Sequence, residues 1–274
     1  MPSQRTPLKL AVAGLGAIGL TVARRVDAGE LAGIQLSAVA ARDHAKARRA
    51  MAEFRAPAPL STLAGLAEAA DIILECLPPS EFAAVAEPAI ARGRLFVPLS
   101  VGALLDHWHL VERAKATGAR ILVPTGALLG LDAVRAAAEG NISEVRMVTR
   151  KPPPSLAGAP LLTERNISLE GLKAPLQVFQ GSAREAIAGF PANVNVAVAL
   201  SLAGIGPDRT RVEIWADPSV TRNTHSIVVT SDSSDLNMTI QNLPSLENAK
   251  TGRITALSAL AALRRLTAEL VVGT

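Results

Sequence analysis

The feature that most constrains this chain is Gly14-Leu15-Gly16-Ala17-Ile18-Gly19, a G-x-G-x-x-G run between the apolar stretch Leu8–Ala13 and a helical pattern over Gly19–Ala28. Glycines at that spacing are common, but a strand before them and a helix after them are not. Each position has a physical task. Gly14 permits a tight turn, Gly16 lets backbone approach a diphosphate, and Gly19 lets helix and strand pack closely. Ala17 and Ile18 lie in the turn that leads into the helix, whose first amides have no intrahelical acceptor and form the positive end on which the diphosphate would sit. The stretch therefore predicts a dinucleotide site at Gly14, Gly16, Ala17, Ile18 and Gly19, with NAD or NADP as cofactor. Arg5 and Lys9 before the run Leu10–Ala23 imitate a secretory leader, but glycines inside that run and Arg24-Arg25 directly after it favour strand–turn–helix.

The rest of the first half alternates short apolar runs with helical patterns. Strands are expected at Leu36–Ala41, Asp71–Leu77, Leu95–Leu99 and Arg120–Pro124, with helices at His44–Phe54, Leu66–Ala70, Glu81–Ala91 and Trp108–Thr117. That alternation predicts βαβ units, hence a Rossmann-type doubly wound parallel sheet covered on both faces. Ligands of such sheets bind outside the carboxyl ends of the strands. Cys76-Leu77, Ser100–Ala103 and Thr125–Ala127 stand at those ends, so Cys76 and Leu77 join the cofactor-site candidates. Cys76 reads as a quiet loop residue, with no histidine near it in sequence to activate it.

Beyond residue 140 the pattern changes. Ser143–Thr149, Gln177–Phe179, Arg211–Ala216, His225–Thr230 and Leu236–Gln241 read as strands, several alternating apolar with polar side chains. A helix is expected from about Pro191, a turn or linker at Lys151–Pro154, and a helical stretch over Thr251–Val271. The expected organisation is α/β: a dinucleotide-binding domain over residues 1–127 with the C-terminal helix 246–274, and a second, smaller α+β catalytic and dimerisation domain over 128–245.

Composition excludes several classes. Of 274 residues, 49% are hydrophobic, enough for two cores and too many for a disordered chain. The formal net charge is +4, spread without a basic run, and aromatics are 3% with no tyrosine, which argues against nucleic acid. One cysteine leaves no internal disulfide and no cysteine-based zinc site, so no metal is expected. No other apolar run reaches the length of a membrane span, and a cytoplasmic protein with no membrane partner is expected.

Several stretches together resemble the L-aspartate dehydrogenase family: Gly14–Gly19, Ser100-Val-Gly-Ala-Leu, Pro124-Thr-Gly-Ala-Leu-Leu-Gly-Leu-Asp-Ala133, Arg150-Lys-Pro-Pro153, Phe190-Pro-Ala-Asn-Val-Asn195, Leu202-Ala-Gly-Ile-Gly206, Ala216-Asp-Pro218, Asn223-Thr-His225, Asn242-Leu-Pro-Ser245 and Lys250-Thr251. The resemblance runs through nearly the whole chain in order. It implies oxidation of L-aspartate to iminoaspartate, then oxaloacetate and ammonia, with NAD or NADP. It also implies a homodimer formed through the second domain, and a product that feeds pyridine nucleotide biosynthesis or is hydrolysed. Carried over by position, the active-site histidine falls on His225 and the nicotinamide contacts on Ala127 and Asn193.

The chemistry agrees with that assignment. Hydride removal from an amino acid needs a neutral amine, and imine hydrolysis needs an activated water, two tasks suited to a histidine. Of His44, His107, His109 and His225, only His225 lies in the second domain, beside the polar Arg222-Asn223-Thr224. A dicarboxylic amino acid needs cations to replace its solvation. Arg150, Lys151 and Lys250 are candidates, with Lys151 and Lys250 taken as substrate ligands and Lys151 preferred. The second strand ends in Val39-Ala40-Ala41 with no carboxylate to hold a ribose, and Arg42 follows, suited to a 2′-phosphate. Asp43 comes one position later, where it could reach the ribose or cap the next helix. Two other readings share the fingerprint: a reductase like dihydrodipicolinate reductase, whose paired-histidine motif is missing here, and a non-catalytic dinucleotide-sensing protein.

Overall fold

The computed structural model describes residues 6–191, 194–245 and 252–273, in two compact units. The first comprises residues up to Pro124 together with Ala256–Val271. Its strands β1 (Leu8–Ala13), β2 (Ile34–Ala40), β3 (Ile72–Glu75), β4 (Leu95–Pro98) and β5 (Arg120–Ile121) form one parallel sheet in the order β2-β1-β3-β4-β5. Helices α1 (Ala17–Asp27), α2 (His44–Ala50), α3 (Leu66–Ala69), α4 (Phe82–Ala91), α5 (Val101–Asp106) and α6 (His109–Thr117) connect them, with one 3-10 turn at Pro79–Glu81. All four residues of β3 are buried, as expected of a strand covered on both faces. One core layer joins Leu10 and Val12 of β1, Val22 and Val26 of α1 and Leu74 of β3 to Ala259, Leu260 and Leu263 near the C-terminus. The strand order reverses between β1 and β3, which makes their carboxyl ends the switch point where such sheets bind ligands.

The second unit is Thr125–Thr255 with Val272–Thr274. Its mixed sheet has the order β10-β9-β6-β8-β7, built from β6 (Ile142–Lys151), β7 (Leu176–Ser182), β8 (Arg211–Ala216), β9 (Asn223–Ser231) and β10 (Asp235–Asn242). β6 lies at the centre, antiparallel to β9 and parallel to β8. Val145 and Met147 of β6, Val212 and Ile214 of β8, and Ile227 and Val229 of β9 are buried on one face. Helices α7 (Leu131–Ala138), α10 (Ala183–Gly189) and α11 (Asn195–Ala203) pack over the sheet and each other, after the short α8 (Pro153–Leu156) and α9 (Pro160–Glu164). α10 carries a complete capping box, Ser182 with Glu185, which satisfies amides at its start.

Several boundaries differ from the sequence expectation. β5 is two residues long, with one further bond to β4 beyond it, from the Leu122 amide to the Phe96 carbonyl. Past the end of β4, Ser100 is the N-cap of α5, which begins at Val101 and takes in Gly102 and Ala103. Lys151 is not in a turn but is the last residue of β6, after which Pro152 ends the ladder and α8 begins. α11 starts at Asn195 rather than near Pro191, and the last helix, α12, spans Arg253–Arg265 rather than running to Val271. The units divide after Pro124, not after Ala127, and the chain rejoins the first unit at Ala256, not at residue 246. Short-range ties explain this: Asn242 Nδ2 donates to the Ala127 carbonyl at 2.8 Å, and Pro244 bridges Gly252. Of the apolar residues in Val212–Trp215 and Ile227–Val229, Val212, Ile214, Ile227 and Val229 are buried in the unit's own core. The opposite face retains Val148, Trp215 and Val228 among polar side chains such as Arg146, Glu213 and Ser226.

Candidate active site

In the first unit the glycine turn has the shape its spacing predicts. Gly14 has φ +96°, a conformation L side chains rarely adopt, and its amide donates to the Ala40 carbonyl at the end of β2. A Cβ on Gly14 would meet the Cys76 carbonyl oxygen at 2.8 Å and Leu77 Cδ2 at 2.9 Å. A Cβ on Gly19 would run into the Gly14 carbonyl oxygen and stand 3.1 Å from Val12 Cγ1. Gly16, the N-cap of α1, faces open space with nothing within 4 Å. Two glycines are thus demanded by packing and one by nothing in the protein itself. An open backbone position before the first-turn amides of Ala17 and Ile18 is the cradle a diphosphate needs, so the residues present fit the dinucleotide.

Around that turn, Cys76 and Leu77 form the wall against Gly14. Burial foremost pushes the Cys76 thiol well above its ordinary value, which disfavours the thiolate a nucleophile needs. Arg42 is exposed two residues beyond Ala40, and no hydrogen bond or ion pair engages it among the described residues. Asp43 is the N-cap of α2: its carboxylate accepts from the Lys46 amide at 2.9 Å, a bond that lowers its pKa. That use ties one carboxylate oxygen of Asp43 to the helix, with the exposed Arg42 side chain directly before it.

The second unit holds the polar cluster. Thr149 and Lys151 follow Val145 and Met147 on the buried face of β6, and His225 stands opposite Thr149 on β9. Thr149 Oγ1 lies 3.0 Å from His225 Nδ1. His225 is 2% exposed and Lys151 4%. Burial foremost, then the positive charge of Lys151, push the His225 pKa down to about 3, so the imidazole is neutral at physiological pH. That pKa is well below the ordinary histidine range, near 6.5, that suits proton transfer at neutral pH. Arg150 points to the opposite face. Its Nη1 donates to Asp217 at 2.9 Å, and its guanidinium lies 5.0 Å from the Trp215 ring centroid, which occupies it elsewhere. Asp217 in turn donates its amide to the Lys151 carbonyl, fixing the end of β6.

Ala127 belongs to the same unit as His225. The bond from Asn242 at the end of β10 anchors its carbonyl, and β10 pairs with β9 along its length. Asn193 and Lys250 lie outside the described residues. Sequence reasoning missed Thr149 and Asn242, although the alternation Val145-Met147-Thr149-Lys151 already puts two polar residues at the end of an apolar strand face. It also missed Glu75, buried at the end of β3.

Comparison with known proteins bears on this arrangement. Residues 132–266 match the model described as aspartate dehydrogenase, C-terminal, and residues 14–124 match a homoserine dehydrogenase NAD-binding domain. An L-aspartate dehydrogenase of Bradyrhizobium diazoefficiens is 56% identical over 97% of this chain and 94% of its own length. L-aspartate dehydrogenase 3 of Bordetella bronchiseptica is 54% identical over 99% of this chain and its whole length. The crystal structure of aspartate dehydrogenase from Thermotoga maritima shares the fold, with a TM-score of 0.74 at 23% identity over 97% of this chain and 99% of that one. A glycine cradle, a parallel sheet, a mixed sheet and near full-length identity above one half all point one way: the chain belongs to the aspartate dehydrogenase family.

Proposed function

We propose that this protein oxidises L-aspartate to iminoaspartate, which water converts to oxaloacetate and ammonia, with His225 as the acid–base residue. The single observation that carries the reading is the buried trio His225, Thr149 and Lys151, in a chain 56% identical to an L-aspartate dehydrogenase. When bound, the nicotinamide supplies the hydride acceptor. The chain's own residues supply the rest. With Nδ1 donating to Thr149 Oγ1, Nε2 keeps its lone pair and can take a proton from the substrate ammonium. Once that proton has passed on to solvent, the same atom, again with a free lone pair, deprotonates the water that attacks the imine. Lys151 pairs with a substrate carboxylate, and that pairing offsets the lesser of the two causes that depress His225, its positive charge, while burial, the larger cause, remains.

Ala127 and Asn193 are proposed nicotinamide contacts, and Lys250 a second substrate cation, by their positions in the family pattern. Arg42, exposed between the second strand and the helix cap Asp43, supports acceptance of NADP alongside NAD. A homodimer through the second unit is part of the same proposal, as is the cytoplasm as its location. No described helix is long and apolar enough to cross a membrane.

The test is a substrate panel followed by reduced-nicotinamide absorbance: L-aspartate, L-glutamate, L-alanine, L-malate and D-aspartate, each with NAD and with NADP. L-aspartate is expected to dominate, with oxaloacetate and ammonia as products. A protein that binds cofactor yet turns over L-malate or L-glutamate in preference refutes the reading.

A further inference from the structure

Glu75 is fully buried at the carboxyl end of β3, where its strand partner is Ala13, the residue before Gly14. Among the described residues it has no ion-pair partner. Three backbone amides and one hydroxyl converge on it instead. Leu77 N–H donates to Oε1 at 2.7 Å, while Leu99 N–H and Ser100 N–H reach Oε2 at 3.2 and 3.0 Å. Ser100 Oγ lies 3.1 Å from Oε1 and 2.7 Å from the Leu77 carbonyl oxygen.

These contacts contain a proton-counting problem. The Ser100 hydroxyl has one hydrogen and two acceptors within reach. Given to the Leu77 carbonyl, it leaves Oγ facing Oε1 with no hydrogen between them. Given to Oε1, it leaves a carbonyl without its donor. Both contacts close only when Oε1 carries a proton of its own: Oε1–H donates to Ser100 Oγ, and Ser100 Oγ–H donates to the Leu77 carbonyl.

We propose that Glu75 is a positioning residue for the dinucleotide site, an un-ionised carboxylic acid that, through Ser100, braces the Cys76–Leu77 wall against the Gly14 turn. The proposal rests on dinucleotide binding at Gly14–Gly19. Burial pushes the Glu75 carboxyl upward and outweighs the amide and hydroxyl bonds that pull it down, a net direction towards the neutral form. Neutrality also has a purpose. A carboxylate one strand spacing, roughly 5 Å, from the turn that must receive a diphosphate would oppose the ligand's charge in a poorly screened interior. The brace reaches the ligand only through backbone: Leu77 is held by its amide and carbonyl, and the Cys76 carbonyl and Leu77 side chain pack where a Gly14 Cβ would stand.

Two substitutions separate this role from general stability. In Ser100→Ala the proton chain is cut while both amides to Oε2 remain. In Glu75→Gln an amide nitrogen must face a backbone N–H, because each carboxyl oxygen accepts at least one. NADH and NADPH affinities are read by fluorescence titration, beside steady-state kinetics at saturating cofactor. Ser100→Ala is expected to weaken both nucleotides about tenfold, the effect of losing one or two buried hydrogen bonds. Its kcat and its KM for L-aspartate should stay within about twofold of wild type, a split that general destabilisation would not give. Infrared spectra of wild type in D2O at neutral pD should contain the carbonyl stretch of an un-ionised carboxylic acid that Glu75→Gln or, if that variant does not fold, carboxyl-labelled glutamate assigns. Unchanged nucleotide affinity in Ser100→Ala overturns the brace, and an ionised Glu75 overturns its neutral form. A wild-type protein that binds neither nucleotide refutes instead the dinucleotide reading beneath it.

Discussion

His225 and Lys151 occupy neighbouring strands on the buried face of the second sheet, and burying them together has a measurable cost. Unfolded, a histidine titrates near 6.5; folded, His225 titrates near 3. Between those values the unfolded chain binds a proton that the folded protein refuses, so stability rises with pH across the window and is lost on acidification from 6.5 towards 3. The expected loss is about 1.4 kcal/mol per pH unit from this group alone. Urea titrations at about pH 6.5 and about pH 5 should find wild type losing roughly 2 kcal/mol more than His225→Gln over that interval; equal losses would contradict the burial of a neutral imidazole. At Arg42 the expectation concerns specificity. Arg42→Ala should lower the ratio of kcat/KM for NADP over NAD about tenfold, the loss of a charged hydrogen-bonding pair, and an unchanged ratio would assign phosphate recognition elsewhere. Legibility at this scale was uneven. His225 could be chosen among four histidines, but its strand partner Thr149 lies 76 residues away in sequence, and no local pattern joins them. Glu75 was hidden for a different reason: what satisfies it is backbone from two loops, which composition does not record.

At the scale of elements, the β1–turn–α1 unit was the most legible part of the chain, because its three glycines act within six residues of one another. Their roles differ, and substitution should separate them. Gly19→Ala places a methyl group against the Gly14 carbonyl, so it should lower the melting temperature by several degrees and weaken nucleotide binding at least tenfold. Gly16→Ala meets nothing in the protein and has φ −77°, which alanine adopts freely. Its melting temperature should stay within a few degrees of wild type while nucleotide affinity falls. Thermal melts and fluorescence titrations check both, and normal binding by Gly16→Ala would place the diphosphate elsewhere. Short elements were the least legible. α8 and α9 are four and five residues long and begin at prolines, which read as turn signals. Lys151 was drawn into that expected turn for the same reason, although its alternation with Thr149 and Met147 marks it as the end of a strand.

For the whole molecule, the two sheets announce themselves differently in sequence: continuous apolar runs for the parallel one, alternation for the mixed one. The division between them is less legible, since Thr125–Ala127 reads as the end of a first-unit strand but is tied by Asn242 into the second. The mixed sheet keeps Val148, Trp215 and Val228 half-exposed on its outer face, which supports self-association through that unit. Light scattering at micromolar concentration should report twice the 28.4 kDa chain mass, and a mass of one chain would contradict the dimer. The proposed role of a neutral, buried His225 is to perform the proton transfers of L-aspartate oxidation. It is tested by the rate of reduced nicotinamide formation from L-aspartate at saturating NAD or NADP, in wild type and His225→Ala. Wild type should turn over and the variant should have a kcat lower by about 10²-fold or more, with nucleotide affinity unchanged; near-normal turnover by His225→Ala, or none from L-aspartate by wild type, would contradict that role.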